Sequence, residues 1–188
     1  MTGIPLRIAE PTGQARRSLR RYARHPEPVC PASHGYHNAS TDIGDIPEAS
    51  KAAHGDNWPH DDPNWPATCE CGYRFGDDDH WQRNDDDIYR LPDGTEFVFR
   101  RSLGKCAPAG TMIRASWYDE YSHHPDGIES WLIALPDGGD WISSQHATGG
   151  GYWTVTGTPP QITATPSIWH NSPTGWHGWA RNGELVSA

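Results

Sequence analysis

The chain has few aliphatic residues and no long apolar segment. Hydrophobic residues make up 35% of its 188 positions, and ten of them are tryptophans. No stretch approaches the roughly 18 consecutive apolar residues of a membrane-spanning helix, so no membrane partner is predicted. The N-terminal segment also lacks the apolar region of a signal peptide, which predicts that the protein is not secreted by that route.

Glycine and proline are too abundant for a protein of long helices. The 20 glycines and 17 prolines place turn signals at short intervals. Between these signals, apolar residues alternate as in strands, for example on both sides of Pro92-Asp93-Gly94. Similar patterns occur at residues 111–118, 130–135, 141–143, 152–157, 161–165 and 176–186. We predict a mainly β protein (β-rich α+β) in which a loop-rich, zinc-stapled part precedes an antiparallel sheet or small open barrel.

Positive charge is scarce and is concentrated near the N-terminus. The chain carries 15 Lys and Arg against 24 Asp and Glu, for a net charge of −9. An acidic protein is poorly suited to broad binding of a nucleic acid duplex, because affinity there depends on neutralising phosphates. The basic segment can still bind nucleic acid or an acidic protein. Its candidate contact residues are Arg16, Arg17, Arg20 and Arg21.

Composition divides the chain into three predicted segments. Residues 1–28 form a basic arm in which Thr12 can cap a short helix that ends near Arg24, before His25-Pro26. A frayed arm without a helix is the alternative. Residues 29–87 form a loop-rich metal-binding subdomain, and residues 88–188 form the antiparallel β domain. Because the arm is polar and precedes the first metal ligand, we expect it to be dispensable for folding.

Only four cysteines are present, and three of them are spaced like metal ligands. Cys69 and Cys71 flank Glu70 and precede Gly72, an arrangement that lets two thiolates face one ion. Upstream, Cys30 is followed four positions later by His34. The sequence predicts a structural zinc site with the ligands Cys30, His34, Cys69 and Cys71. A closed set of four ligands leaves no position for water or substrate, which catalytic zinc needs.

The fourth ligand and the state of the cysteines have alternatives. His37 is the second candidate for the imidazole, and His54 and His60 also lie between the two cysteine segments. Disulfides such as Cys30–Cys69 with Cys71–Cys106 are a further possibility. Clustered cysteines without an export signal are more typical of metal sites. Cys106 lies apart from the cluster and is interpreted as a thiol without a metal role.

Two further features have both a chemical and a structural interpretation. The acidic runs 77–79 and 85–87 lack the alternation and glycine of a calcium loop, so they are predicted to be solvated. His146, His170 and His177, with Asp140 and Ser167, would form a hydrolytic site if they converged in one cleft. Recognisable hydrolase and nucleotide-binding motifs are missing, so these histidines are interpreted as structural and the protein as more consistent with a non-enzyme.

Several longer patterns resemble a group of phage proteins. They are Trp-Pro-x-x-Cys-x-Cys-Gly-Tyr-x-Phe at 65–75, Pro-Asp-Gly-Gly-Asp-Trp at 136–141, Pro-Ser-Ile-Trp at 166–169 and Trp-His-Gly-Trp at 176–179. Together they resemble small zinc-ribbon-like proteins of actinobacteriophages and prophages, and the C-terminal patterns are similar to DUF6527-like proteins, a family of unknown function. The resemblance runs from about Cys30 to the C-terminus and leaves the basic arm outside.

The resemblance implies an origin and a fold but no reaction. It implies a location in the cytoplasm of an infected or lysogenic bacterial host, or in the virion. With the predicted metal site, it favours a non-catalytic interaction module, host-directed or virion-associated, whose partner is a protein. The alternatives are a nucleic-acid accessory protein that uses the arginine-rich arm, and a hydrolase that uses His146, His170 and His177.

Overall fold

The computed structural model describes residues 3–23, 29–32, 35–51, 62–147, 150–170 and 175–188. About 50% of the described residues are in strands and 7% are in helices, which confirms the predicted β-rich class. The strands are β1 (Ile4–Pro5), β2 (Arg7–Ile8), β3 (Glu10–Ala23), β4 (His37–Pro47), β5 (His80–Arg90), β6 (Glu96–Val98), β7 (Thr111–Arg114), β8 (Trp131–Ala134), β9 (Asp140–Ile142), β10 (Thr154–Thr158), β11 (Gln161–Thr165), β12 (Ile168–Trp169), β13 (His177–Arg181) and β14 (Glu184–Ser187). The described residues also form the short α-helices α1 (Leu103–Cys106) and α2 (Ser116–Asp119) and a 3-10 turn at Glu48–Ser50. No helix in these described ranges is long and apolar enough to cross a membrane.

The chain divides into two compact units. Unit 1 comprises Met1–Thr12 and Tyr89–Ala188, and unit 2 comprises Gly13–Ile88. This division differs from the predicted one at the N-terminal end, because the described part of the predicted arm, residues 3–23, is shared between the two units. The first part of this segment belongs to unit 1 and the second part to unit 2.

Unit 1 is built from short, mostly antiparallel strands. One sheet has the order β1-β14-β13-β12, another has the order β2-β7-β8-β9, and β10 pairs with β11 as a hairpin. Only β2 and β7 pair in parallel among these strands of the described chain. Large buried side chains such as Trp141, Trp153 and Met112 fill one hydrophobic cluster, and a second one surrounds Phe97 and Ile113.

Two hairpins of unit 1 turn at glycine-containing pairs, one of them at the predicted Pro92-Asp93-Gly94. The amide N–H of Leu91 donates to the carbonyl of Thr95 at 2.9 Å, and Gly94 has φ +88°. Between β13 and β14, Asn182 and Gly183 have φ +49° and +82°, the left-handed pair that an Asn-Gly hairpin turn requires. The strand predicted for residues 111–118 is shorter than expected, because β7 ends at Arg114 and α2 follows.

Unit 2 contains the element on which the prediction was wrong. The segment from Thr12 to Arg24 was expected to be helical or frayed, but Glu10–Ala23 is a strand and lies between β4 and β5 in its sheet. It pairs antiparallel with β4 from Gln14↔Pro47 to Ala23↔His37, so residues 37–47 form a strand within the subdomain that was expected to be loop-rich. Ala15, Leu19, Arg21 and Ala23 are buried, and because they are separated by even numbers of positions they lie on one face of the strand.

The arginines of β3 are engaged within unit 2. Arg17 donates two parallel hydrogen bonds to Asp85, each of 2.8 Å, and the two side chains are only 15% and 8% exposed. Arg16 pairs with Asp45. The acidic run at 85–87 is therefore not simply a solvated face, since Asp85 neutralises an arginine of the neighbouring strand.

Candidate metal centre

The first cysteine lies at the start of a narrow turn. The amide N–H of Cys30 donates to the carbonyl of Gly35 at 3.1 Å, and the two residues form an isolated antiparallel bridge. The Cys30 side chain is completely buried. The chain then enters β4, whose first residue, His37, is also buried. The first turn therefore places Cys30 and His37 on the buried side of unit 2.

The other two cysteines lie in a second turn, which glycine makes possible. The amide N–H groups of Cys69 and Gly72 donate to the carbonyls of Tyr73 and Cys69, both at 2.8 Å. Gly72 has φ +91°, a conformation that costs residues with a Cβ atom. The residues on either side of the turn, Thr68 and Arg74, form an isolated antiparallel bridge. Cys69 and Cys71 are thereby held at the tip of a small hairpin.

The two turns bring four ligand atoms together. One ligand atom from each of Cys30, His37, Cys69 and Cys71 lies within 4.8 Å of the others. The Sγ atoms of Cys30 and Cys69 are 3.7 Å apart, and Nδ1 of His37 lies 3.0 Å from Sγ of Cys71. In a tetrahedral site with metal–sulfur bonds of about 2.3 Å, two sulfurs lie about 3.8 Å apart. The cluster therefore has the ligand types and the size of a metal site.

The three predicted cysteines are brought together, and the fourth ligand among the described residues is His37. The first choice from sequence, His34, lies outside the described residues, as do His54 and His60. All four cysteines are free thiols, so the alternative disulfides are not formed. Cys106 belongs to unit 1, where its Sγ lies 3.4 Å from the amide nitrogen of Arg100. Within the described ranges, no other group of three His, Cys, Asp or Glu side chains has this arrangement.

Neighbouring side chains orient the histidine. The His37 ring stacks on Tyr73 with ring centres 4.2 Å apart and planes 5° from parallel. The Tyr73 hydroxyl donates to Asp79 at 3.3 Å, and the same carboxylate oxygen accepts the amide N–H of Gly76 at 2.8 Å. Burial and the Asp79 charge raise the pKa of Tyr73, which keeps its hydroxyl a donor. Such outer contacts hold metal-binding imidazoles in one orientation.

Hydrogen bonds give the two thiols of the second turn different acidities. Burial acts to raise the pKa of Cys69, but the backbone of Cys71, the His37 ring and the backbone of Asn38 outweigh it and lower that pKa. A backbone hydrogen bond from Tyr73 acts to lower the pKa of Cys71. Burial and the nearby Cys30 and Cys69 thiols outweigh that bond, so the pKa of Cys71 is raised. A bound cation would hold both groups as thiolates.

Arg21 connects β3 to the hairpin that carries Cys69 and Cys71. Sequence reasoning missed this role. Its guanidinium donates to the carbonyl of Pro66 at 3.1 Å and to that of Gly76 at 2.5 Å, on the two sides of the cysteine hairpin. Its Cζ atom also lies 5.1 Å from the ring centre of Trp65 and 5.2 Å from that of Phe75. At 5% exposure, Arg21 is a buried cation that fixes both ends of the hairpin. The sequence signal that could have indicated a buried Arg21 is its place among Ala15, Leu19 and Ala23, which share one face of a strand.

We expect Arg21→Ala to destabilise unit 2 by about 2–4 kcal/mol, because the buried carbonyl of Pro66 and the part-buried bond to Gly76 lose a charged donor. The matched control is Arg20→Ala, since Arg20 is half-buried and only stacks over Tyr22 at 5.6 Å. That variant should change stability by less than about 1 kcal/mol. Urea unfolding followed by circular dichroism measures both. Equal stabilities for the two variants would contradict the role given to Arg21.

The three histidines of the alternative hydrolase site have different partners. Nδ1 of His170 lies 2.6 Å from a carboxylate oxygen of Asp137, and Nε2 of His177 lies 3.0 Å from Oγ of Ser167. His146 instead packs on the ring of Tyr152, with ring centres 4.1 Å apart. Asp140 accepts the amide N–H of Gly104 at 2.6 Å. Each histidine therefore has a separate local contact.

Comparison with known proteins adds no relative. No protein-family model, no curated protein and no solved structure matches the chain. What the metal centre does is therefore inferred from its own residues.

Proposed function

We propose that the protein is a non-catalytic interaction module in which one zinc ion holds the fold of unit 2. The observation that carries this proposal is the convergence of Cys30, His37, Cys69 and Cys71 within 4.8 Å. Thiolate and imidazole ligands favour zinc over the hard cations magnesium and calcium. A set of four protein ligands is typical of structural zinc sites, in which no coordination position is left for a reactant.

The small apolar core of unit 2 supports a structural role for the metal. Both hydrophobic clusters found among the described residues consist of side chains from unit 1. The described part of unit 2 contributes isolated buried apolar residues, such as Leu19 and Ile88. Small domains with insufficient cores commonly use a metal in place of apolar burial. Zinc would join the Cys30 turn, the start of β4 and the Cys69 hairpin.

An interaction role is supported by apolar side chains beside the metal turns. Val29 precedes Cys30 and is 63% exposed, and Tyr36 precedes His37 and is 55% exposed. Exposed aromatic side chains on a rigid support are favoured anchors for protein partners. Their position suggests that the metal sets the geometry of a protein-binding surface. In line with the phage resemblance, we propose a partner in the bacterial host or in the virion.

The zinc assignment is tested by native mass spectrometry of the purified protein. We expect one zinc per chain, retained in Cys106→Ser and in His34→Ala, and lost or strongly reduced in His37→Ala. A fully folded protein without metal would refute the zinc proposal. Loss of zinc in His34→Ala with retention in His37→Ala would instead identify His34 as the fourth ligand.

The two alternative functions have weaker support. Binding of nucleic acid through Arg16, Arg17, Arg20 and Arg21 would require charge that is largely engaged within unit 2. A hydrolase is favoured by one observation, the 3.0 Å contact between Ser167 and His177. A serine nucleophile also needs a base held by a third group. His177 has no such carboxylate partner among the described residues. Both alternatives therefore rank below the interaction module.

A further inference from the structure

Unit 1 contains a pocket that is separate from the metal centre in sequence and in chemistry. Its volume is about 330 Å³, within the range of small-molecule sites. Leu132 and Ile142, from the adjacent strands β8 and β9, contribute apolar lining. The remaining lining consists of two aromatic rings and three polar side chains. A pocket of this composition is suited to a ligand that has both a flat face and polar edges.

The aromatic wall offers a surface for stacking. The rings of Phe99 and Trp117 are stacked, with centres 5.7 Å apart and planes 28° from parallel. Although Phe99 packs against it, Trp117 is still 46% exposed. An indole that is fixed by one neighbour and accessible elsewhere loses little conformational freedom when a planar group stacks on it. The wall therefore favours a planar ring as ligand.

The polar side chains of the pocket have unused hydrogen-bonding capacity. One oxygen of Asp140 accepts the amide N–H of Gly104 at 2.6 Å, and its second oxygen has no partner among the described residues. The side chains of Gln145 and Arg101 form no hydrogen bond or ion pair within the same part of the chain. The pocket thus presents an anionic acceptor, an amide that both donates and accepts, and a guanidinium.

Arg101 is also held in a costly backbone conformation. Its φ is +61°, in the left-handed region that residues other than glycine, asparagine and aspartate rarely adopt. Strain of this kind is frequently found at ligand-binding positions. Glycine would adopt this backbone conformation without strain. The arginine at this position therefore indicates a role for its guanidinium group.

We propose that this pocket binds a nucleotide, with the base stacked on Trp117 and the phosphate bound by Arg101. Bases stack on aromatic side chains, and a guanidinium matches the geometry of phosphate oxygens. The open oxygen of Asp140 would accept from an exocyclic amino group, and the Gln145 amide can pair with a donor and acceptor side by side, as adenine presents them. The preferred ligand is therefore an adenine nucleotide. This inference does not depend on the zinc proposal.

Isothermal titration of the full-length protein with AMP tests the proposal. Trp117→Ala should weaken AMP binding about tenfold or more, whereas Trp169→Ala should leave it unchanged. Trp169 is the matched control, since it is 52% exposed and lies in unit 1 but does not line this pocket. UMP, which lacks the amino group, should bind more weakly than AMP.

Arg101→Gly separates binding from folding. It should weaken AMP about tenfold but leave the affinity for adenosine nearly unchanged, because adenosine has no phosphate. Its melting temperature should be equal to or above that of the parent, since glycine adopts positive φ without strain. A destabilised variant with unchanged AMP affinity would contradict the role of Arg101.

Two probes distinguish the source of the nucleotide. Binding of AMP equal to that of a tetra-adenylate would identify a free nucleotide, and much tighter binding of the tetra-adenylate would identify a single strand. Both results support the pocket. Absence of AMP and tetra-adenylate binding at millimolar concentration, or AMP binding that Trp117→Ala does not change, would overturn the proposal. Tighter binding of glucose than of AMP would also overturn the proposal, because glucose has neither a planar base nor a phosphate.

Discussion

Cys71→Ser is expected to release the metal and to unfold unit 2. Structural zinc in small sites contributes an apparent free energy on the order of 10–16 kcal/mol, and this binding energy is folding energy. The described residues of unit 2 show no hydrophobic cluster to compensate for its loss. Hydrogen exchange should show fast exchange of the amides that pair β3 with β4. Zinc content is measured on the same sample.

Two controls make this result specific. Cys106→Ser removes a thiol of similar exposure from unit 1, and it should keep both the zinc and the protection of β3 and β4. A chelator added to the unmodified protein should reproduce the effect of Cys71→Ser. Slow exchange in metal-free Cys71→Ser would mean that strand pairing and Arg21 alone stabilise the unit.

Deletion of residues 1–26 is the second change for which we expect a large effect, and the expectation from sequence was the opposite. The deletion removes β1, β2 and β3. In unit 1, β1 pairs with β14 and Leu6 is buried in a hydrophobic cluster. In unit 2, β4 would lose its partner strand β3, with which it forms ten residue pairs. Loss of a strand that pairs on both sides normally prevents folding of its sheet.

Thermal unfolding measures this prediction. The truncated protein should lack a cooperative transition or should be insoluble, whereas the full-length chain should unfold cooperatively. A truncated protein with a melting temperature close to that of the full chain would show that β3 is dispensable, as its polar composition suggested.

The helical interpretation of β3 failed for an identifiable physical reason. Alternate residues of a strand share one face, and on the largely buried face of β3 they are Ala15, Arg17, Leu19, Arg21 and Ala23. Two arginines interrupt the apolar pattern of this face. They can be buried because partners far along the chain, Asp85 and Pro66, accept their hydrogen bonds. Sequence alone cannot supply these partners, so the arginines suggested exposure. Arginine and leucine are also good helix formers, which increased the error.

In contrast, the strands of unit 1 and the cysteine pair were predictable because their signals are local. Asp93-Gly94 and Asn182-Gly183 determine hairpins from adjacent residues. Cys69 and Cys71 lie in one turn, so their convergence follows from spacing. The choice between His34 and His37 has no such local determinant. The buried position of His37 depends on the pairing of β4 with β3, which was itself not foreseen.

The interrupted course of unit 1 along the chain has a consequence for synthesis on the ribosome. β1 pairs with β14 and β2 with β7, whereas every ligand of the metal centre precedes residue 72. At roughly 5–20 residues per second, the ribosome needs several seconds or more to reach β14 after completing β5. During this interval unit 2 can already bind the proposed zinc ion. The emerging chain would therefore acquire its cation before the N-terminal strand finds its last partner.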